Sequence, residues 1–468
     1  MRRPAALLTY ILIGAYLLLI GGALYWQVGQ REVLVNHPAN PYQLLERRSV
    51  RRGGIFDSSG EVIAESVQRE KGFERVFHGT SGLAPTIGYF SQRYGTAGLE
   101  KTLDEFLMGR RYPGTSVIGR LRHLLSDRSS GYDVITSIDL DLQRTVEQAL
   151  ANRKGAAVVM EVKTGRILAI ASMPGFNPEE IDSQWDKITS DPGSPLYNRA
   201  LAGFYPPGST FKIVVLAAVL AHGELDLASV FDDPGSVTIQ GHQIANAGGT
   251  PWGRISLLDA LVVSSNTVFT EVARKIGSDQ LLQMAGSFGL GRKPPLAGEN
   301  VGAGKLPSGP LSPLELAQLA IGQYGIVTTP LQMAMVVQAV ANDGLMMEPL
   351  LVDAVKASGN GGKWINQPRP MGYVVSAQNA RKIRQAMAEV VTRGTGRNAA
   401  LSGIDVAGKT GSAENPQGRA HAWFVGMAPV DKPAICLAVI VEHGGSGGGV
   451  AAPIARRIFA AYFQGAAG

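Results

Sequence analysis

The chain has 468 residues, more than one ordinary domain, and its 45% hydrophobic and 18% charged content is that of a globular protein and not of a disordered one. Its net charge of +6 is mild, with one local cluster at Arg47, Arg48, Arg51 and Arg52 and no basic stripe interleaved with aromatics, which argues against nucleic acid as a partner. The single cysteine, Cys436, excludes a disulfide within the chain, and no Cys/His set has metal-ligand spacing, so neither a metal nor another cofactor is expected.

Ala5 to Val28 carries no charge, about 24 residues or roughly 36 Å as a helix, enough to cross a bilayer. A signal peptide with a cleavage site at Gly21-x-Ala23 is the competing reading, but the run is longer than a signal core needs, so an uncleaved anchor is expected. Tyr25 and Trp26 suit the far interface, and Arg2 and Arg3 favour a cytoplasmic N-terminus, an argument that Arg31 weakens. Residues 29 to about 130 are polar, broken and Gly-rich. Arg51 to Ala64 reads as strand, turn, strand, and Gly98-Leu99-Glu100 opens a short helix through Leu107. The segment is too short and irregular for a large enzyme domain and reads as a stalk.

From residue 131 the pattern changes. Asp133 to Asp139 alternates, and Leu140 to Ala151 is helical. Ala156–Val162 and Arg166–Met173 form a hairpin turning at Lys163-Thr164-Gly165. Tyr205-Pro206-Pro207-Gly208 is a rigid turn before Ser209-Thr210-Phe211-Lys212 and an apolar helix from Ile213 to Ala221, stopped by Gly223. Ile255 to Val263 is a helix with a Ser256-x-x-Asp259 cap, ending at Ser264-Ser265-Asn266, and a second helix runs from Thr267 to Ile276. More helix lies between 313 and 343, broken and capped at Thr328-Thr329-Pro330, and again at 376–392. Three strand-like runs follow, around Lys409, at His421–Met427 and at Ala434–Glu442; then come a glycine-rich turn at Gly444–Gly449 and a closing helix at Pro453–Phe463. Strands at both ends of a helical middle suggest one mixed sheet shared by the N-terminal hairpin and the C-terminal strands, flanked by helices.

Three polar clusters carry chemistry: Ser209-x-x-Lys212, Ser264-x-Asn266 and Lys409-Thr410-Gly411-Ser412. Spacing of i, i+3 puts Ser209 and Lys212 on one helix face, where an amine can take the serine proton and the helix N-terminus faces an oxyanion. Each cluster is weak alone, and two have decoys: Ser358-Gly359-Asn360 in a flexible tip and Lys163-Thr164-Gly165 in an exposed turn. Ser264, by contrast, stands between two helices. Lys409 opens a strand, in which Gly411 lets a ligand backbone approach closely. His421 reads as a core or strand-end residue, Glu414 as solvated, Trp423 and Phe424 as core, and the Arg47–Arg52 cluster as a solvated face or fold-internal pairing.

The three motifs, in this order, resemble those of the class B penicillin-binding proteins, the monofunctional D,D-transpeptidases of bacterial cell-wall synthesis. The resemblance runs from the anchor to the C-terminus and includes Thr136-Ser137-Ile138-Asp139, Thr164-Gly165-Arg166-Ile167-Leu168-Ala169, Asn198-Arg199-Ala200, Thr329-Pro330-Leu331-Gln332 and His421-Ala422-Trp423-Phe424. It implies an α+β fold: a transpeptidase domain like that of penicillin-binding proteins and serine β-lactamases, with a central antiparallel sheet flanked by helices, on a short N-terminal stalk with one transmembrane helix. The implied division is 1–28 anchor, 29–130 stalk and 131–468 transpeptidase domain, in a single-pass protein of the cell membrane with its catalytic domain extracytoplasmic.

The resemblance also implies roles. Ser209 would be the acylated nucleophile and Lys212 its base. Ser264, held by Lys409 and Lys212, would pass the proton to the leaving amine. Asn266 would bind the substrate backbone. Thr410 and Ser412, around Gly411, would bind the terminal carboxylate, with the oxyanion against the N–H groups of Ser209 and Ser412. A lysine base requires a lowered pKa, which burial and a second lysine supply. Glu161-Val162, Ser58, Gln323-Tyr324 and Ser412 depart from the usual family residues, and of these Tyr324 puts a helix end in doubt. The implied partners are peptidoglycan stem peptides, β-lactam antibiotics and a membrane polymerase of the SEDS family (RodA/FtsW type). Hydrolysis, by a D,D-carboxypeptidase or a serine β-lactamase, and a non-catalytic β-lactam sensor or scaffold are the alternatives. No Glu matches the class A deacylation base, the anchor and stalk fit wall synthesis, and the acid–base set is complete. The roughly 100-residue stalk has no room for a glycosyltransferase.

Overall fold

A computed structural model describes residues 2–30, 50–70, 72–114, 130–296, 301–357, 363–416 and 418–465. Arg47, Arg48 and the Ser358-Gly359-Asn360 triplet lie outside the described residues. The first helix, α1 (Arg2–Leu24), continues as a wider turn over Tyr25–Gly29. Thr9–Gln27 is the one stretch among the described residues long and apolar enough to cross a membrane, and none of it is buried against the protein.

The strands of the two large sheets are, in chain order, β1 (Ile55–Phe56), β2 (Val62–Arg69), β3 (Gly72–Phe77), β4 (Asp133–Thr136), β5 (Gly155–Glu161), β6 (Ile167–Met173), β7 (Val352–Lys356), β8 (Lys363–Ile365), β9 (Ala407–Asn415), β10 (Gly418–Ala428) and β11 (Ile435–Val441). The stalk sheet has the order β8-β7-β4-β1-β2-β3. Half of its strands come from beyond residue 130, so the stalk is not built from its own span alone; β4 lies parallel to β1, and β7 returns from far along the chain to pair with β4. Arg52 is buried and paired with Glu100 at 2.6 Å and with Asp104, so this member of the basic cluster pairs inside the fold, whereas Arg51 is exposed. The expected short helix at 98–107 is two turns, Gly98–Thr102 and Asp104–Leu107, broken at Leu103.

The second sheet has the order β9-β10-β11-β5-β6, and all its neighbours are antiparallel. The hairpin and the C-terminal strands therefore share one sheet, as expected, and it is antiparallel, as the family resemblance implies, and not mixed, as the strand pattern alone suggests. β5, β6 and β11 are nearly continuous apolar runs because both faces of the sheet are covered there. Ala156, Val158 and Met160 of β5 face one core, which holds Met333, Val336 and Val337 of α7 (Pro330–Ala341). Ala157 and Val159 face the other, with Val146 and Leu150 of α2 (Leu140–Leu150) and Ile454 and Ile458 of α9 (Ala452–Gly465). This alternation is the period of two of a strand.

Local chemistry sets the helix starts. Asp139 caps α2 by accepting from the Leu142 N–H at 2.9 Å. Thr329 and Gln332 form a reciprocal capping box at α7. Between the sheet ends lie α3 (Lys212–His222), α4 (Leu257–Val263), α5 (Asn266–Ile276), α6 (Pro313–Ala320) and α8 (Ala377–Arg393). Apolar α3 is buried from Lys212 through Leu220 and ends at Gly223, whose φ of 86° a side chain would resist.

Candidate active site

The turn that carries Ser209 is clamped before the helix begins. Tyr205 and Thr328 exchange backbone hydrogen bonds at 3.0 and 2.8 Å, the Trp423 indole donates to the Pro206 carbonyl at 3.1 Å, and the Gly208 N–H donates to the Gly322 carbonyl at 3.0 Å. Gly208 has a φ of 53°, and Gly208–Phe211 is a single tight turn feeding α3. Ser209 therefore sits just ahead of the α-helix and not within its first turn. It is half-buried, and its hydroxyl has no hydrogen bond among the described residues.

Lys212 is fully buried, and its ammonium nitrogen has three neighbours: the Ser264 carbonyl at 2.8 Å, Asn266 Oδ1 at 2.8 Å and Ser264 Oγ at 3.3 Å. Two of these are pure acceptors, which suits a neutral amine that donates two hydrogens and keeps a lone pair. Lys409, also fully buried, donates to Ser264 Oγ at 2.9 Å and to the Thr410 carbonyl at 3.0 Å. Ser264 thus lies between two lysines. It is held there by an unusual backbone, with φ 62° and ψ 40°, in the break between α4 and α5. Residues in such conformations persist where their surroundings impose them, commonly at functional sites.

Burial lowers the proton affinity of Lys212 strongly, and the charge of Lys409 lowers it further, with Asp233 opposing. Burial brings Lys409 down to about 7. Burial and a neighbouring positive charge together are what a lysine needs to act as a base near neutral pH.

Lys212, Ser264, Asn266 and Lys409 are thus joined in one hydrogen-bonded chain. Ser209, Asn266 and Ser412 line one open cleft of about 470 Å³, with Gln243, Gln318, Gln323, Tyr324 and Glu414 on its walls. Glu414 is exposed, but it is a cleft residue as well as a solvated one. Tyr324 lines the cleft and donates to Glu315 at 2.5 Å, beyond the last turn of α6. Lys163 sits in the exposed hairpin turn and donates to Asn342, apart from the cleft.

Thr410 is buried and shares a hydroxyl–hydroxyl hydrogen bond with Thr395 Oγ1 at 2.7 Å, and Ser412, two residues on, lines the cleft. What approaches Gly411 is the protein itself: a Cβ there would lie 3.0 Å from Thr210 Cγ2 and 3.1 Å from the Pro207 carbonyl. The close approach holds the strand against the nucleophile's turn.

Sequence reading did not pick out the support behind the turn. Tyr205 donates to Glu442 at 2.7 Å, and buried Arg199 pairs with the same carboxylate at 2.9 Å. His421 packs edge-on to Tyr205 and accepts from the His443 N–H at 3.1 Å, behind the turn. The Asn198-Arg199-Ala200 triplet was the available signal, but its partner, Glu442, stands more than two hundred residues away.

Residues 155–460 match the penicillin binding protein transpeptidase domain. The chain belongs to this family. Residues 52–133 match the penicillin binding protein A dimerisation domain. The chain is 34% identical to the peptidoglycan D,D-transpeptidase PbpA of Mycolicibacterium smegmatis over 98% of each chain. It is 35% identical to that of Mycobacterium tuberculosis over 96% of each. Among solved structures it resembles penicillin-binding protein A from M. tuberculosis in its imipenem acyl-enzyme complex, with a TM-score of 0.82 at 33% identity over 90% of this chain and 100% of that one. It also resembles the D,D-transpeptidase domain of a peptidoglycan glycosyltransferase from Eggerthella lenta, with a TM-score of 0.79 at 33% identity over 89% and 99%.

Proposed function

We propose that this penicillin-binding protein cross-links peptidoglycan stem peptides through an acyl-enzyme on Ser209. It is a serine-type D,D-transpeptidase, inhibited covalently by β-lactams. The observation that carries the assignment of roles is the hydrogen-bonded chain Lys212–Ser264–Lys409 beside the cleft that Ser209 lines.

Ser209 Oγ attacks the penultimate carbonyl of a donor stem ending in D-Ala-D-Ala, and its proton passes to the neutral Lys212 amine. The oxyanion lies against the N–H groups of Ser209 and Ser412. The C–N bond breaks as Ser264 delivers a proton to the departing D-Ala amine and is reprotonated from the lysines. The amine of a neighbouring stem then attacks the ester, loses its proton through the same groups, and releases Ser209. Asn266 holds the substrate backbone. Thr410 and Ser412, around Gly411, bind the terminal carboxylate beside the charge of Lys409.

Residues 1–28 form the anchor, 29–130 the greater part of the stalk and 131–468 the transpeptidase domain, which faces outward from the cell membrane. A polymerase of the SEDS family is the partner that the anchor and stalk would engage; loss of co-purification in mild detergent with the anchor intact would remove it.

The test of the assignment is intact mass after incubation with benzylpenicillin, beside Ser209→Ala. A lasting adduct on the wild type alone supports it. Rapid turnover of the drug would favour a hydrolase, and an adduct on Ser209→Ala would displace the nucleophile.

A further inference from the structure

Asp233 ends the strand Val230–Asp233 and is 1% exposed, yet this carboxylate has no ion-pair partner among the described residues. A buried unpaired charge is costly and is retained only where other groups compensate it. Its partners here are neutral donors: the Gly235 N–H at 2.9 Å, and the Asn246 amide, which reaches its two oxygens at 2.7 and 3.0 Å.

Asn246, also buried, turns its other end to the second motif. Its Oδ1 accepts from the Asn266 N–H at 2.7 Å and the Thr267 N–H at 3.3 Å, which are the first free donors of α5. Its Nδ2 donates to the Thr250 carbonyl at 2.9 Å as well as to Asp233. The amide cannot be reversed, because its oxygen would then face a carboxylate and its hydrogens would face N–H groups. The Asn266 side chain is fixed on the same side, with Nδ2 donating to the Ala245 carbonyl at 2.7 Å and Oδ1 accepting from Lys212 at 2.8 Å. An unbroken path therefore runs from the Asp233 carboxylate through Asn246 to the backbone of Asn266, and from the Asn266 side chain to the Lys212 amine.

We propose that Asp233 and Asn246 are a positioning pair for the transpeptidation site: the buried carboxylate orients the Asn246 amide, and the amide holds the Ser264–Asn266 loop in the geometry that receives Lys212. The pair has a second consequence. The groups around the Lys212 amine are the neutral Ser264 and Asn266, the Lys409 charge from β9, the Phe269 ring 5.4 Å away on α5, and the Asp233 charge behind the loop. Burial and Lys409 drive the proton off Lys212, and the Asp233 carboxylate opposes them. This inference rests on the assignment of Lys212 as base.

The experiment is the pH dependence of the second-order acylation rate with a fluorescent penicillin, on the full-length protein in detergent. Asp233→Asn keeps one oxygen for both donors and removes the charge. Lys212 then holds its proton less tightly, so the acid limb of the rate profile moves to lower pH. Asp233→Glu keeps the charge and leaves the limb nearer the wild-type position than Asp233→Asn does. Asn246→Ala frees the loop and lowers the rate by about tenfold or more through misplacement of Asn266. An unmoved limb in a folded Asp233→Asn protein overturns the proposal. So does a wild-type rate in Asn246→Ala, which carries the test if Asp233→Asn does not fold by circular dichroism. Lys212→Ala separates the two levels: if it acylates normally, the base assignment fails, whereas an inactive Lys212→Ala beside an unmoved Asp233→Asn limb overturns the positioning pair alone.

Discussion

Gly411→Ala tests whether the strand carrying Ser412 is held at a set distance from the turn carrying Ser209. The added methyl would meet Thr210 Cγ2 at 3.0 Å, the Pro207 carbonyl at 3.1 Å and Trp423 Cβ at 3.1 Å. Ordinary contact is several tenths of an ångström longer, and these neighbours are stiff: a backbone carbonyl, a β-branched residue in a tight turn and the stem of a fully buried tryptophan. The strand and the turn must therefore part. Overpacking of this kind costs about 1–3 kcal/mol, a fall in Tm of several degrees. The separation also moves the two walls of the cleft, and displacements below an ångström at a reacting centre cost from several-fold to about 100-fold in rate. The assay pairs thermal unfolding with the acylation rate. Gly286→Ala is the control, since its Cβ meets nothing within 4 Å, and it should be neutral or stabilising by about 0.5–1 kcal/mol. A Gly411→Ala protein with wild-type Tm and rate would refute the reasoning.

Lys212→Ala should abolish acylation by benzylpenicillin, measured by intact mass, and retention of the normal rate would remove Lys212 as the base. Lys409→Met should raise Tm at pH 7 while slowing acylation. The unfolded chain holds the Lys409 proton up to about 10.4, whereas burial lowers the folded value to about 7, so the lysine destabilises the fold most below pH 7 and progressively less as pH rises between the two values. Wild-type unfolding followed from pH 7 to 9 should show this gain, and Lys409→Met should show less of it. Tyr205→Phe removes the O–H that donates to the Glu442 carboxylate at 2.7 Å, with an expected loss of about 1.5–3 kcal/mol in unfolding free energy, read by chemical denaturation. Deleting residues 1–28 should leave penicillin acylation intact, because Thr9–Gln27 adds nothing to either core.

Much of the site was legible from local order. Ser209, Lys212, Ser264, Asn266 and Lys409 each stand at an element boundary that short-range chemistry dictates: a proline-glycine turn, a helix break, the start of a strand. Apolar runs with caps and stops define α3, α7 and the sheet strands, because side-chain periodicity is a property of neighbours in sequence. The decoy Lys163 could be set aside for the same reason, as it lies in the turn of a hairpin whose strands pair only a few residues apart.

What tertiary structure alone decided depends on groups distant in sequence. Whether the sheet is antiparallel follows from where β11 returns to β5, and the stalk sheet needs β7, which follows β4 by more than two hundred residues. The hydroxyls of Thr410 and Thr395 share a hydrogen bond, Gly411 is crowded by Pro207, and Glu442 braces Tyr205, and none of these pairs is close enough along the chain for local pattern to reveal it. Burial lowers the proton affinities of both Lys212 and Lys409, and the Lys409 charge lowers that of Lys212 further, while Asp233 and Asn246 look like ordinary loop residues until folding places them behind Asn266. Desolvation and through-space charge are properties of the packed molecule, so residue types and their spacing marked the candidate groups, and the fold determined their state.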